Sequence, residues 1–87
     1  MIWVRIPSPL HSYTRGRSEI ELEVDSLAGL TERLDAEFPG IRFRIIDEHD
    51  RIRRHIQFFV NGEMVRDLGH ALSPGDKVHI ICALSGG

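Results

Sequence analysis

The segment that most constrains the fold of this chain is residues 19–24, where glutamates alternate with Ile20, Leu22 and Val24 without interruption. Such alternation predicts a β-strand with one solvated and one buried face. A chain of 87 residues has no length for a second core, so every other element must cover that apolar face or extend its sheet. The sequence therefore predicts one domain built around one half-buried sheet.

Two further segments have the alternation of strands. Residues 2–6 alternate up to Pro7, which ends the pattern because proline cannot continue a sheet. Residues 56–60 lead into Asn61-Gly62, a pair that favours a two-residue type I′ hairpin turn. We therefore expect a strand, a tight turn and a short return strand in this part of the chain.

The final strand pattern covers residues 77–84 and follows a Pro-Gly turn at residues 73–76. Its nearly continuous apolar run favours a central position in the sheet. The glutamate-rich strand instead favours a flank, because charged residues protect an exposed strand edge.

One helix is expected after the glutamate-rich strand. Asp25 or Ser26 is suited to cap its N-terminus, and Pro39-Gly40 is suited to end it. Between these signals the apolar residues form one stripe, at Leu27, Leu30, Leu34 and Phe38. Residues 41–46 fit either a strand or a turn of helix, and the pattern leaves both interpretations open.

The predicted order is therefore strand, strand, helix, strand, short strand, strand. A single helix after a hairpin covers only one face of a sheet. This order is typical of an α+β, single-domain β-grasp (ubiquitin-like) fold, with a mixed sheet of four to five strands and one helix packed on one face. We expect the β-grasp domain to span residues 1–84, followed by a flexible tail, residues 85–87, that ends in Gly-Gly.

Gly86 and Gly87 follow a strand that has no further element to join. Chance places two glycines at this position in about one chain in 200, and a frayed polar end is the alternative explanation. Joined to a β-grasp pattern, the pair is better explained as a functional tail than as a frayed end.

Five motifs occur in a defined order along the whole chain. They are Val4-Arg5-Ile6-Pro7-Ser8-Pro9-Leu10, Phe38-Pro39-Gly40, Phe59-Val60-Asn61-Gly62-Glu63, Pro74-Gly75-Asp76-Lys77-Val78 and the terminal Gly86-Gly87. No single motif is specific, but their order, spacing and terminal position together resemble the MoaD/ThiS family of ubiquitin-like sulfur carriers.

The resemblance implies a cycle centred on Gly87. A ubiquitin-activating-type enzyme would adenylate this glycine with ATP, a sulfur donor would convert the acyl adenylate to a thiocarboxylate, and an acceptor enzyme would take the sulfur. Ser85 and Gly86 would supply reach and flexibility. The chain itself would bind no cofactor and would have no intrinsic catalytic residue, since it would act as a cosubstrate and not as an enzyme.

Molybdopterin biosynthesis, as part of molybdenum cofactor synthesis, is the first expected destination of the sulfur. There the chain would be the small subunit beside a molybdopterin synthase large subunit. Cysteine and thiamin biosynthesis are the alternatives. A protein modifier joined to lysines through Gly87, and a non-catalytic β-grasp interaction module with an inert tail, are the other functions that stay open.

Strand parity indicates where partners would dock. If the even-numbered residues of the first strand face the helix, the opposite face of the sheet is left uncovered. We call the side chains on it the docking face: Trp3, Arg5, Phe59, His79 and Ile81. Adjacent apolar side chains of this size mark partner sites, and Trp and Arg often anchor them. The alternative is that Trp3 folds onto the loop at residues 7–13.

Other kinds of site are disfavoured. The five histidines lack paired ligand spacing, and alternation sends His79 and Cys82 to opposite faces, so no metal site is expected. Cys82 lies in an apolar strand, which favours burial over a role as nucleophile. The arginines between residues 42 and 54 are mixed with acidic residues and lack repeated aromatics, which favours a solvated surface or a rim contact for an acidic partner.

The composition disfavours two classes of partner. The net charge is only −2, and no apolar run is long enough to cross a bilayer, so we expect neither nucleic acid nor membrane as a partner. The first residues lack the pattern of a secretory signal, which predicts a cytoplasmic location.

Overall fold

A computed structural model describes residues 1–83 of the chain as a five-stranded mixed sheet packed on helices. The elements, in chain order, are β1 (Ile2–Arg5), β2 (Glu19–Leu22), α1 (Leu27–Glu37), α2 (Ile41–Ile45), β3 (Ile56–Val60), β4 (Glu63–Val65) and β5 (Lys77–Cys82). A short 3-10 turn, Ser8–Leu10, follows β1. The strand order across the sheet is β2-β1-β5-β3-β4, and this architecture confirms the expected β-grasp fold.

The central strand of the sheet is β5. It pairs in parallel with β1, where Val4 lies opposite Val78, and antiparallel with β3, where Phe58 lies opposite Ile80. The glutamate-rich strand β2 forms one edge and the short β4 forms the other. Both positions inferred from composition, the apolar strand at the centre and the acidic strand at the flank, are confirmed.

The core lies between the sheet and the helices. Strand parity places the same residues inside as the alternation predicted, namely Ile2, Val4, Ile56, Phe58, Val78 and Ile80. Helix α1 covers them with Leu27, Leu30 and Leu34, which are all fully buried. Burying each side chain of this kind stabilises the fold by about 1.5–3 kcal/mol. Ser26, and not Asp25, caps the helix, since its hydroxyl accepts a hydrogen bond from the Gly29 N–H at 3.0 Å.

The ambiguous segment after Pro39 is helical. Ile41 and Ile45 are both buried one turn apart, while Phe43 between them is exposed. Gly40 makes the turn into this helix with a φ of 96°, a left-handed conformation that glycine adopts without strain. Helical spacing therefore prevails over the alternating interpretation, because a strand would put Phe43 on the same face as both isoleucines, whereas a helix puts it on the opposite side.

Two strands are shorter than their sequence patterns. Strand β2 ends at Leu22 and leaves Val24 to the connection with α1, and β5 ends at Cys82, whereas the pattern continues to Leu84. The hairpin prediction is confirmed, since Asn61 and Gly62 have φ angles of 50° and 88°, and a type I′ turn requires both to be positive.

Asp76 links the start of β5 to the β3–β4 hairpin through hydrogen bonds. Its carboxylate accepts hydrogen bonds from the Ser73 N–H at 2.8 Å and from the Asn61 side-chain amide at 3.0 Å. The Asn61 carbonyl oxygen accepts in turn from the Lys77 N–H at 3.0 Å. The bond from Ser73, followed by that from Asn61, holds the pKa of the Asp76 carboxyl below its usual value, because both stabilise the ionised form.

We predict that Gly40→Ala lowers the free energy of unfolding by about 1–2 kcal/mol, the cost of placing an L-residue in the left-handed region. A further cost is expected because the added Cβ would lie 3.3 Å from Cε1 of Tyr13. Urea unfolding measures the effect. Gly16→Ala is the matched control, since Gly16 has a φ of 82° with no neighbouring atom within 4 Å. Equal losses for the two variants would show that the Tyr13 contact contributes nothing.

We predict that Asp76→Asn unfolds more easily than the wild type at pH 7. The pKa of Asp76 is lowered by folding, so its contribution is complete above the unfolded value of about 3.9 and is lost as the pH falls through the folded pKa. The difference between variant and wild type should therefore shrink in unfolding curves recorded below about pH 4. Glu32→Gln, at an exposed position of α1, is the control. A difference that stays constant with pH would contradict the prediction.

Candidate functional site

The described chain ends just beyond β5, at a point we call the tail root, Cys82 and Ala83. The Ala83 N–H donates a hydrogen bond to the His55 carbonyl oxygen at 2.7 Å, which extends the pairing of β5 with the segment before β3 by one residue. The predicted tail, Ser85 with Gly86 and Gly87, lies outside the described residues, as does Leu84. The roles proposed for these residues stay predictions.

Because β1 and β5 are parallel, the C-terminal ends of both strands lie at the same end of the sheet. A shallow groove of about 340 Å³ lies there beside Cys82, and its charged or titratable side chains are Arg5, His11 and His79. His11 Nε2 lies 2.8 Å from the Ile6 carbonyl oxygen, and since a carbonyl only accepts, this nitrogen carries the proton. The hydrogen bond fixes the histidine ring against the end of β1.

A second groove, of about 390 Å³, lies on the other side of the tail root. Tyr13, Arg44 and His55 line it together with Cys82. Arg44 Nε donates to the Tyr13 hydroxyl at 2.6 Å, and its guanidinium carbon lies 5.8 Å from the centre of that ring. The hydrogen bond from Arg44 to Tyr13 raises the pKa of the guanidinium further, so this group stays charged.

The docking face has the composition that strand parity predicted. Arg5, His79 and Ile81 are exposed, and Trp3 and Phe59 are half-buried. The Trp3 and His79 rings meet edge to face with 6.2 Å between their centres, which explains why the indole is less exposed than a free side chain. This geometry places Trp3 over the sheet and favours the docking position over packing on the loop at residues 7–13.

The register aligns one row of the docking face across all five strands. Glu19 of β2 lies opposite Arg5, Arg5 opposite His79, His79 opposite Phe59, and Phe59 opposite Met64 of β4. The row has a carboxylate at the β2 edge, then the Arg5 guanidinium and the His79 imidazole, and it is apolar towards β4. A partner that covers it needs an apolar patch beside an acidic group.

Cys82 is half-buried and packs against the core at the tail root. Its environment is that of a partly buried small apolar side chain, close to the burial expected from the sequence. Within residues 1–83, no three histidine, cysteine, aspartate or glutamate side chains are grouped so that they could hold a metal ion. Nor does any helix in that range have the length and apolar character needed to cross a membrane.

Several of the clustered arginines bind to residues near them on the same part of the surface. Arg42 pairs with Asp50 at 3.2 Å, and Arg53 stacks on Phe43 at 4.6 Å and donates to its carbonyl oxygen. Asp47 accepts from the backbone N–H of Arg51 at 3.0 Å, and this bond is the largest cause of the lowered pKa of that carboxyl. The cluster is therefore largely a solvated surface, and only Arg44 among these arginines lines a groove beside the tail root.

Sequence patterns placed Arg5, His79 and Ile81 of the first groove on the docking face, but they did not identify the second groove. Tyr13, Arg44 and His55 are far apart in the chain and carry no shared motif. The available signal was indirect, since the first and last strands of a β-grasp sheet are neighbours, and this pairing places the loop after β1 beside the tail root.

The chain is similar to known sulfur carrier proteins over nearly its whole length. The model of the ThiS family matches residues 4–87. The sulfur carrier protein CysO of Mycobacterium tuberculosis is 32% identical over 91 residues, covering 99% of this chain and 98% of that protein.

Two solved structures are also similar over the whole length. The crystal structure of Mycobacterium tuberculosis CysO has a TM-score of 0.90 at 30% identity, covering 97% of this chain and 100% of that one. A chain of the Amycolatopsis orientalis BexX/CysO complex has a TM-score of 0.93 at 28% identity, with 100% of both chains covered. The family match and these similarities establish that the chain belongs to the ThiS family of ubiquitin-like sulfur carriers.

Proposed function

We propose that this chain carries sulfur as a thiocarboxylate on Gly87. A ubiquitin-activating-type enzyme adenylates the terminal carboxylate with ATP, and a sulfur donor then replaces the adenylate. The observation that carries the proposal is the family match, which extends through Gly87, together with similarity to a sulfur carrier protein over nearly the full length of both chains. The chain is consumed and regenerated in this cycle and catalyses no step itself.

Cysteine biosynthesis is the destination that we propose for the sulfur. The sequence pattern alone pointed first to molybdopterin, but the relatives that match this chain at 32% identity are CysO proteins. No similarity described above favours a molybdopterin synthase large subunit as the acceptor. The 32% identity extends over both the folded domain and the tail. It therefore supports a shared pathway more strongly than do motifs that the whole family has in common.

The docking face supports delivery of the tail to a protein partner. The Amycolatopsis orientalis CysO was crystallised in a complex with BexX, so a carrier of this fold binds a second protein. On this chain, the half-buried Trp3 and Phe59 lie beside the charged Arg5 on the open face of the sheet. Aromatic and arginine side chains in this arrangement are frequent anchors of protein interfaces. We propose that the activating enzyme and the sulfur acceptor use this face in turn.

Intact-protein mass spectrometry tests the chemistry. Incubated with ATP, a sulfide source and the ubiquitin-activating-type enzyme of the same cell, the chain should gain about 16 mass units, because one oxygen is replaced by sulfur. The gain should lie in the tryptic peptide that follows Lys77. That peptide also contains Cys82, whose oxidation adds a similar mass, so Cys82→Ser is the matched control and should keep the gain. An unchanged mass under activating conditions would contradict the proposal, and lysine adducts would indicate a protein modifier.

We predict that Trp3→Ala weakens binding to the activating enzyme about tenfold and leaves the fold intact, since truncating an interface anchor commonly costs more than 1 kcal/mol. Isothermal titration calorimetry measures the affinity, and circular dichroism checks the fold. The control is Phe43→Ala, which removes an exposed aromatic ring from α2 and not from the docking face. Equal affinities for wild type and Trp3→Ala, or equal losses for both variants, would rule out docking through this face.

A further inference from the structure

Positive and titratable side chains surround the tail root on both sides. The first groove contributes Arg5, His11 and His79, and the second contributes Arg44 and His55. No carboxylate among residues 1–83 lines either groove, although the chain has 13 acidic residues and only 11 basic ones. The local charge at the tail root is therefore opposite in sign to the net charge of the protein.

Four acidic side chains lie on the edge strand β2 or just after it. Glu19 and Glu21 of the edge strand β2 line a hollow with Trp3, and Glu23 and Asp25 line the next one along the chain. Glu19 is the cross-strand neighbour of Arg5, yet the two form no ion pair in the described part of the chain. Within residues 1–83, Arg5 therefore has no direct ion pair, and Arg44 lies in the other groove, where no carboxylate of that range lines the wall.

Arg44 is held in an orientation suited to a carboxylate ligand. Its Nε is bound to the Tyr13 hydroxyl at 2.6 Å, and within residues 1–83 this is its only side-chain hydrogen bond. The two terminal amino groups of the guanidinium stay available as donors. A planar fork of this kind binds carboxylates through two parallel hydrogen bonds, and fixing it beforehand reduces the entropy lost on binding.

We propose that these five side chains, Arg5, His11, Arg44, His55 and His79, form a collar, made positive by its two arginines, that docks against a carboxylate-rich rim around the entrance of the activating enzyme's active site. The inference rests on the proposed function and deepens it. When the tail enters that site, the tail root is the part of the carrier that meets the entrance, so groups at the rim must face the collar. The partner therefore contacts both sides of the tail root and not the docking face alone.

A collar of this kind acts mainly on the rate of encounter. Complementary charges steer association and orient the carrier with its tail forward, and added salt screens the effect. The docking face would then supply affinity through apolar contact, which salt affects much less. The two surfaces can be separated experimentally because Arg44 belongs to the collar and lies outside the docking face.

The experiment measures initial rates of pyrophosphate release by the activating enzyme at limiting carrier concentration, with KCl varied from about 0.05 to 0.5 M. We expect Arg44→Glu to lower kcat/KM about tenfold at low salt and to approach the wild-type value at high salt. Arg44→Lys keeps the charge but loses the planar fork and the bond to Tyr13, so its loss should be clearly smaller than that of Arg44→Glu and its salt dependence should follow the wild type. Arg33→Glu, on the exposed side of α1, is the matched charge reversal and should behave as the wild type does.

Three results would contradict the proposed role of the collar. First, kcat/KM for Arg44→Glu could equal that for Arg33→Glu, which would mean that charge beside the tail root has no special effect. The loss could persist at high salt and appear equally in Arg44→Lys, which would assign it to packing against Tyr13. Absence of pyrophosphate release with the wild-type chain would instead refute the proposed function and the collar with it, and this outcome is distinct from the other two.

Discussion

The parallel pairing of β1 and β5 is the constraint on which the rest of this structure depends. It places the last strand at the centre of the sheet, where β3 covers its other side, and it brings the ends of β1 and β5 to one edge. The loop after β1 must then turn beside the tail root, and His11 fixes it there through the Ile6 carbonyl oxygen. The two grooves and the position of the tail root all follow from this one pairing.

The residues that form the core and the residues of the docking face lie on opposite faces of the sheet. Even-numbered residues of β1, such as Val4, are wholly buried against α1, whereas Trp3 and Arg5 point to the opposite face. A period of two makes this separation strict, since a shift of one residue would exchange the two sets. Substitutions on the open face can therefore alter a partner site while leaving the core unchanged.

Much of the fold could be predicted from the sequence because its strands alternate cleanly. The glutamate-rich strand, the capped helix and the Asn61-Gly62 turn each carry a local signal, and each is present. Residues 41–46 were ambiguous because apolar spacings of two and four coexist, and only the position of the core decides between them. Of the candidate site, parity predicted the docking face, but the groove formed by Tyr13, Arg44 and His55 depends on long-range packing that no local pattern encodes.

The central position of β5 also determines how the protein responds to force. Tension applied through the tail would act along a strand that is hydrogen-bonded to β1 on one side and to β3 on the other, with the Ala83 bond to His55 as its last link. Such a pull loads the bonds of both ladders in shear, so they share the load and do not open one after another. A pull on the tail is therefore resisted by two ladders and not by one.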